Sequence, residues 1–422
     1  MEKCLMTGNH AAAWGARLAG AEYIPAFPIT PQTEIIEALS DWIGKGEMDA
    51  RMVMMESEHA MMTAAGAAAA AGVRVFTATS SQGLLYAMEM LYTIPGWRVP
   101  LVLVNVSRGL ASPITLEPDH NDVLAARDSG VLQLHAASCQ EVLDTVLIAF
   151  RLGEDARVRL PVLVNLDGFY LSFTREPLHI PDRKEVQGFL GAYDSRDGFR
   201  ADRPAAAAVA VLGGGSYSYF RYEAHLAAQN ALTVYDEVVE EYSNRFGRHL
   251  DAVESYRMEG AEMAIFMMGA FSSKAREAVD RAREAGVPLG LLRPRLLRPF
   301  PRQALREAAS GVSALAVVDQ NLSPGYGGIL YGEVAQALYG AQAPLLASYI
   351  GGLGGRDITT EEFFQMTKEL KVALEVGSPP PPRLLFTEEE LVQVRALQQA
   401  AGVEQLEQNW MIWTESAFPT AS

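Results

Sequence analysis

With 422 residues, 49% of them hydrophobic and 20% charged, the chain has the composition of a soluble globular protein and a length that favours two or three domains. A formal net charge of −16 removes electrostatic support for a nucleic-acid role, and no apolar run reaches membrane-spanning length. Cys4 and Cys139, the only cysteines, lie far apart without C-x-x-C spacing, so no iron–sulfur cluster or structural zinc is expected on this chain. The polar start MEKCLMTGNH makes the cytoplasm the expected location, and the seven histidines show no metal-ligand spacing.

In chain order, Lys3–Thr7 reads as a strand, Asn9–Leu18 as a helix, Tyr23–Phe27 as a strand and Pro31–Trp42 as a helix with Ile35, Ile36 and Leu39 on one face. Arg51–Met55 is a third strand, followed by a small-residue helix over His59–Ala71 that something must approach closely, either within the domain or across an interface. Val73–Thr77, Pro100–Val106 and Leu160–Leu166 are near-continuous β-branched and leucine runs, as expected of strands buried on both faces. Helices fill the gaps, so residues 1–172 form an α/β domain with a doubly wound parallel sheet. Residues 173–256 read as a connecting arm ending in a long amphipathic helix, Ala224–Tyr242. A smaller α/β domain occupies 257–376. Four consecutive prolines from Pro379 then stiffen a spacer in 377–422, whose tail carries Trp410 and Trp413 and is expected to dock on another surface.

Four constellations follow strands of the first domain, and a fifth lies just downstream. They are Phe27-Pro28-Ile29-Thr30-Pro31-Gln32-Thr33, Glu56-Ser57-Glu58-His59, Thr79-Ser80-Ser81-Gln82-Gly83, Ser107-Arg108-Gly109 and Asp119-His120-Asn121-Asp122. Strand ends of open α/β sheets converge on one crevice, which is where such folds keep their chemistry. Each residue also has a plainer reading. Glu58 is a dipole-compatible acid at a helix start, Thr30 an ST-turn residue, and Ser80 and Ser81 helix caps. Arg108, after an apolar strand, is costly if unpaired, and its plain partner is Asp119 or Asp122. Asp119 and His120 read as a local polar network.

Taken together and in this order, these motifs resemble the α subunit, or domain I, of the thiamine-diphosphate-dependent 2-oxoacid:ferredoxin oxidoreductases, the pyruvate:ferredoxin oxidoreductase class. Leu292-Arg293-Pro294 and Val317-Val318-Asp319 look like that subunit's transketolase-type C-terminal domain, so about the first 370 residues are covered. The resemblance implies a thiamine pyrimidine-binding domain, with Glu58 as the catalytic carboxyl beside the aminopyrimidine and Pro28 and Ile29 against the cofactor ring. Thr30 and Arg108 then take the substrate, and Ser80, Ser81, Asp119 and His120 line the site. Glu58's role wants a dry setting, which Met54, Met55, Met61 and Met62 are expected to provide.

The sequence lacks a Gly-Asp-Gly…Asn motif for Mg-diphosphate. The resemblance therefore implies half an active site, with thiamine diphosphate shared with a β subunit that holds the magnesium. It implies coenzyme A as co-substrate, a γ subunit, a ferredoxin-like iron–sulfur subunit and a dimer of heteromers. The substrate is expected to be pyruvate-type. Ile114–Pro118 and Gly109 instead of alanine leave a larger 2-oxoacid such as phenylglyoxylate open. Two rivals are weaker. The β chain of a 2-oxoacid dehydrogenase E1 component lacks the Pro-Ile-Thr-Pro turn and Arg108. A nucleotide- or flavin-binding electron-transfer scaffold needs a phosphate-cradling glycine loop at a helix start, which is not found.

Overall fold

The computed structural model describes residues 2–193, 198–204, 206, 209–341, 343–400 and 412–413. The chain forms two compact units, Met1–Glu254 with Pro294–Pro301, and Ser255–Arg293 with Arg302–Ser422.

The first unit is built on a sheet ordered Leu296–Arg298, Leu132–His135, Val162–Asp167, Val102–Ser107 and Phe76–Thr79. A bridge from Val75 to Tyr23 continues it into the pair Tyr23–Ala26 and Arg51–Met54. All neighbours are parallel except Leu296–Arg298, which runs antiparallel on the edge. Every residue of Val102–Ser107 and Val162–Asp167 is buried, as the unbroken apolar runs require of strands covered on both faces.

Two strands have no such signature. Leu132–His135 is wholly buried yet carries Gln133 and His135, so no apolar run marks it. Arg175–Ile180, within the segment read as an arm, pairs antiparallel with Glu2–Thr7 and buries only Leu178 and Ile180. The long helix starts at Gly214 rather than Ala224 and runs to Phe246. Its second half buries Val234, Val238 and Tyr242, while Tyr217, Tyr219 and Tyr222 near its start are exposed.

The small-residue helix Glu58–Ala70 is packed from within its own unit. A Cβ on Gly66 would lie 2.7 Å from Ile94 Cγ1, on the helix Met88–Trp97. Hydrogen in place of a side chain lets the two helices approach, and a methyl there would force a shift.

The second unit has a parallel sheet in the order Ile412–Trp413, Arg383–Leu385, Leu345–Ile350, Ala314–Asp319, Met263–Met267 and Leu289–Pro294. The chain after the prolines thus begins by adding the strand Arg383–Leu385 to this sheet, followed by the helix Glu388–Ala400, and Ile412–Trp413 pairs on its outer side. Trp410 lies outside the described residues. Asp319, at the end of its strand, accepts Leu330 N at 2.7 Å and Tyr331 N at 3.1 Å, while Asn321 Oδ1 accepts Ile329 N at 2.9 Å. These two side chains cap the helix Ile329–Leu338.

Candidate active site

The first wall of the site is the turn after Tyr23–Ala26. Buried Gln32 folds back so that its Nε2 donates to Phe27 O at 2.7 Å, and buried Asn9 Nδ2 donates to Pro31 O at 2.8 Å. Backbone carbonyls clamped from two sides leave the turn one shape. Pro28 and Thr30 face outward from it, and Ile29 is half-buried. No side-chain hydrogen bond closes an ST-turn at Thr30 among the described residues; its carbonyl accepts from Arg108 Nη1 at 2.7 Å.

Glu58 is the first residue of its helix, after Ser57, whose hydroxyl caps Ala60 N at 3.2 Å. The carboxyl is 6% exposed, beneath Gly83: a Cβ on that glycine would stand 2.5 Å from Glu58 Oε1 and 2.6 Å from Thr79 Oγ1. The glycine is what leaves the carboxyl its room. Met61 and Met62 are fully buried, as a dry setting wants, but Met54 is 56% exposed because Arg51–Met54 is an edge strand.

Arg108 follows Val102–Ser107 and is 8% exposed. Its Nη2 donates to Gln82 Oε1 at 2.6 Å and its Nη1 to Thr30 O, both neutral acceptors, while its Nε is buried without a partner. Among the described residues its guanidinium has no ion pair. Asp122 touches only its backbone, accepting Arg108 N at 3.3 Å. Burial lowers the guanidinium's pKa, with the charge of Asp122 opposing it. Consecutive residues therefore join the two halves of the site: Gln82 holds Arg108, and Gly83 lies over Glu58.

Asp122 organises the loops between them. Fully buried, its Oδ2 accepts Ser81 N and Asn105 Nδ2, each at 3.0 Å, and its Oδ1 accepts Val123 N at 2.7 Å. Desolvation pushes its carboxyl up to about 6 despite these donors. Ser81 is held at φ 52, where a non-glycine residue is strained, by Asp122 on its nitrogen and by its own hydroxyl on Gly109 O at 3.0 Å. Ser80 occupies the N-cap position without capping; its hydroxyl and that of Thr79 are buried and unpartnered.

From Asp122 a polar row crosses the sheet. Asn105 Nδ2 also donates to Asn165 Oδ1 at 2.9 Å, Ser107 Oγ meets Asp167 Oδ1 at 3.4 Å, and Asp167 Oδ1 lies 2.7 Å from His120 Nε2. Burial works to lower His120's pKa, but Asp167, Asp122 and Asp119 outweigh it and raise it. His135 packs edge-on at 5.8 Å from His120 with neither ring nitrogen hydrogen-bonded, and burial pushes it down to about 3. Asp119 accepts Asn121 N at 2.9 Å. The structure thus brings Thr30, Glu58, Ser81, Arg108 and their neighbours together, and puts His120 in the buried row. Sequence reasoning named Gln82 and Gly83 in a motif without giving them a role, took Asp122 for an ion-pair partner of Arg108, and passed over Asn105 and Asn165. The available signal was the repeated Val-Leu-Val-Asn in both central strands, since a buried amide in an apolar run must find a partner.

The absent Cβ of Gly109 does not open the pocket. A Cβ there would lie 2.5 Å from Thr115 Cγ2 and 3.1 Å from Asp119 Oδ2, so protein atoms fill that space. Ile114 and Leu116 are 81% and 49% exposed.

A buried carboxyl and a guanidinium with neutral partners thus meet at neighbouring strand ends of a parallel sheet, and a second α/β unit follows. Solved structures agree at the level of fold. The 2-oxoglutarate:ferredoxin oxidoreductase of Magnetococcus marinus, bound to 2-oxoglutarate, coenzyme A and succinyl-CoA, superposes with TM-score 0.68 at 20% identity, over 87% of this chain and 65% of that one. A split-gene transketolase (an inactive β4 tetramer) gives 0.52 at 13% identity, over 87% of this chain and 98% of that one.

Sequence comparison goes further. Residues 14–242 match the family described as pyruvate flavodoxin/ferredoxin oxidoreductase, thiamine diphosphate-binding, and residues 261–363 match pyruvate:ferredoxin oxidoreductase core domain II. Similar proteins include the pyruvate synthase subunit PorA of Pyrococcus abyssi, 37% identical over 90% of this chain and 96% of that protein. PorA of Methanothermobacter thermautotrophicus is 40% identical over 84% and 92%, and the ketoisovalerate oxidoreductase subunit VorA of Pyrococcus horikoshii 38% over 89% and 95%. The chain belongs to the pyruvate flavodoxin/ferredoxin oxidoreductase family and is an oxidoreductase subunit with a thiamine diphosphate-binding domain.

Proposed function

We propose that the chain is the α subunit of a 2-oxoacid:ferredoxin oxidoreductase and supplies the pyrimidine side of the active site and the anchor for the substrate carboxylate. The observation that carries this is Arg108, a nearly buried cation whose protein partners are neutral and whose Nε has none. A carboxylate is the ligand that completes such a group, because it accepts two parallel hydrogen bonds and cancels the charge. Thr30, exposed beside it, donates its hydroxyl to the same substrate.

Glu58 fits the cofactor: a buried carboxyl under a glycine, beside the unpartnered hydroxyl of Thr79. Its role is to share a proton with the pyrimidine ring while Pro28 and Ile29 shape the ring's cradle. Thiamine diphosphate, when bound, supplies the electron sink for loss of CO2 from the 2-oxoacid. The sequence contains no Mg-diphosphate motif, so the diphosphate and its magnesium fall to a β subunit. With two separated cysteines in the whole chain, the electrons pass to a ferredoxin-like iron–sulfur subunit, with a γ subunit and coenzyme A completing the reaction. The whole is a cytoplasmic dimer of heteromers in which the isolated α chain is inactive. Among the described residues no helix is long and apolar enough to cross a membrane.

The substrate reading is a small, pyruvate-type 2-oxoacid. Relatives named for pyruvate and for ketoisovalerate are equally similar, so identity does not choose. The filled space at Gly109 favours the smaller acid, and phenylglyoxylate loses that residue as support.

The test is Arg108→Leu in the assembled complex. Removing a buried hydrogen-bonded charge costs ~2–5 kcal/mol, which predicts a 2-oxoacid KM at least about 30-fold higher with thiamine diphosphate affinity little changed. Collapse of cofactor affinity with normal substrate binding would show that Arg108 serves the cofactor instead.

A further inference from the structure

Arg108 holds its charge in reserve only because the side chain against it is an amide. Gln82 Oε1 accepts Arg108 Nη2 at 2.6 Å, and Ser81 Oγ lies 2.6 Å from the same oxygen, its one proton shared between that oxygen and Gly109 O at 3.0 Å. The guanidinium donor on this oxygen fixes which end of the carboxamide faces the cation, and leaves its Nε2 buried with no acceptor. Ser81 cannot drift, since its nitrogen is tied to Asp122. The other anchor of the guanidinium is the carbonyl of Thr30 at 2.7 Å. Both anchors orient the cation without neutralising it. The nearest carboxylate, Asp122, is occupied by Ser81 N, Asn105 Nδ2, Val123 N and Arg108 N.

We propose that Gln82 is a positioning and specificity-determining residue: its oxygen aims Arg108 at the substrate carboxylate, and its neutrality keeps the guanidinium's charge for an anionic ligand. The inference rests on the assignment of Arg108 to the substrate carboxylate. A glutamate at the same place would accept the same bonds with the same shape but form an internal ion pair, and the site would lose its preference for an anion.

The experiment compares Gln82→Glu, Gln82→Met and Arg108→Leu with the native protein, each in the assembled complex. It measures 2-oxoacid KM, kcat and thiamine diphosphate affinity from pH 6 to pH 8.5. Gln82→Glu is expected to raise KM about tenfold or more, with a smaller change in kcat and unchanged cofactor affinity. Paired with the guanidinium, the introduced carboxyl stays ionised throughout this pH range, so its KM penalty holds across it. Gln82→Met removes the acceptor without adding charge, and its KM increase is expected to be clearly smaller. Equal increases in the two Gln82 variants, or none in either, would reduce Gln82 to packing and overturn the inference. An unchanged KM in Arg108→Leu would instead overturn the assignment of Arg108 on which it rests.

Discussion

The two units solve the same architectural problem and then use their strand ends in opposite ways. In the second, the polar side chains after Ala314–Asp319 are consumed by structure: Asp319 and Asn321 cap the following helix, leaving Gln320 as the side chain there without partners. In the first, Asp122 likewise caps the helix after Phe76–Thr79 through Ser81 N, but Thr79 and Ser80 keep unpartnered hydroxyls and Arg108 keeps an unpartnered nitrogen. Buried polar groups without partners are costly, and in the first unit they include a cation as well as neutral groups. Parallel-sheet topology is common to both units; which side chains are left without partners at the strand ends is what tells them apart.

The comparison breaks most sharply at Glu58. Glu58→Gln keeps the size and burial of the side chain and removes an ionisable carboxyl. Turnover of the assembled complex is expected to fall ~10²–10⁴-fold, the range for a positioned acid–base group, with assembly by light scattering intact. Near-native turnover would return Glu58 to the rank of a helix-start acid.

A smaller effect is expected at His135, in the polar row of the first unit but outside the Glu58–Arg108 pair. Burial holds its imidazole at about 3, below its ordinary value near 6.5, so the unfolded chain binds the proton more readily. This group's contribution is fully present above pH 6.5 and is lost as pH falls toward 3, by about 1.4 kcal/mol per pH unit. His120 has the opposite shift but is shared by variant and parent. His135→Leu should therefore lose less thermal stability than the parent between pH 7 and pH 5. An identical loss in both would assign the acid sensitivity elsewhere.

The smallest effect is expected in the second unit. Asp319→Ala removes a helix cap worth ~0.5–2 kcal/mol. At ~2–4 °C per kcal/mol for a unit of this size, the midpoint of its unfolding should drop by a few degrees, with KM and kcat per assembled complex unchanged. A KM change would mean that this strand end also faces chemistry, and the contrast would fail.

Much of this was legible in the chain. The β-branched runs around Val104 and Val164 announce strands covered on both faces, because only such strands need no polar face. The turn chemistry of Pro28–Gln32 and the helix start at Ser57-Glu58 are local, so short motifs suffice to find them. Leu132–His135 and Arg175–Ile180 were not legible. Gln133 and His135 interrupt the apolar pattern of the first, and the second hides only every other residue near its end.

The sequence by itself determined the α/β class, the order of the motifs and the residue types at the strand ends, all consequences of local periodicity and turn geometry. Tertiary structure alone decided which partners those residues take. Arg108 faces Gln82 and Thr30 rather than Asp119 or Asp122, because Asp122 is already saturated by backbone and amide donors from three other places in the chain. A hydrogen bond depends on an ångström-scale distance between segments dozens of residues apart, and no spacing along the chain encodes that distance.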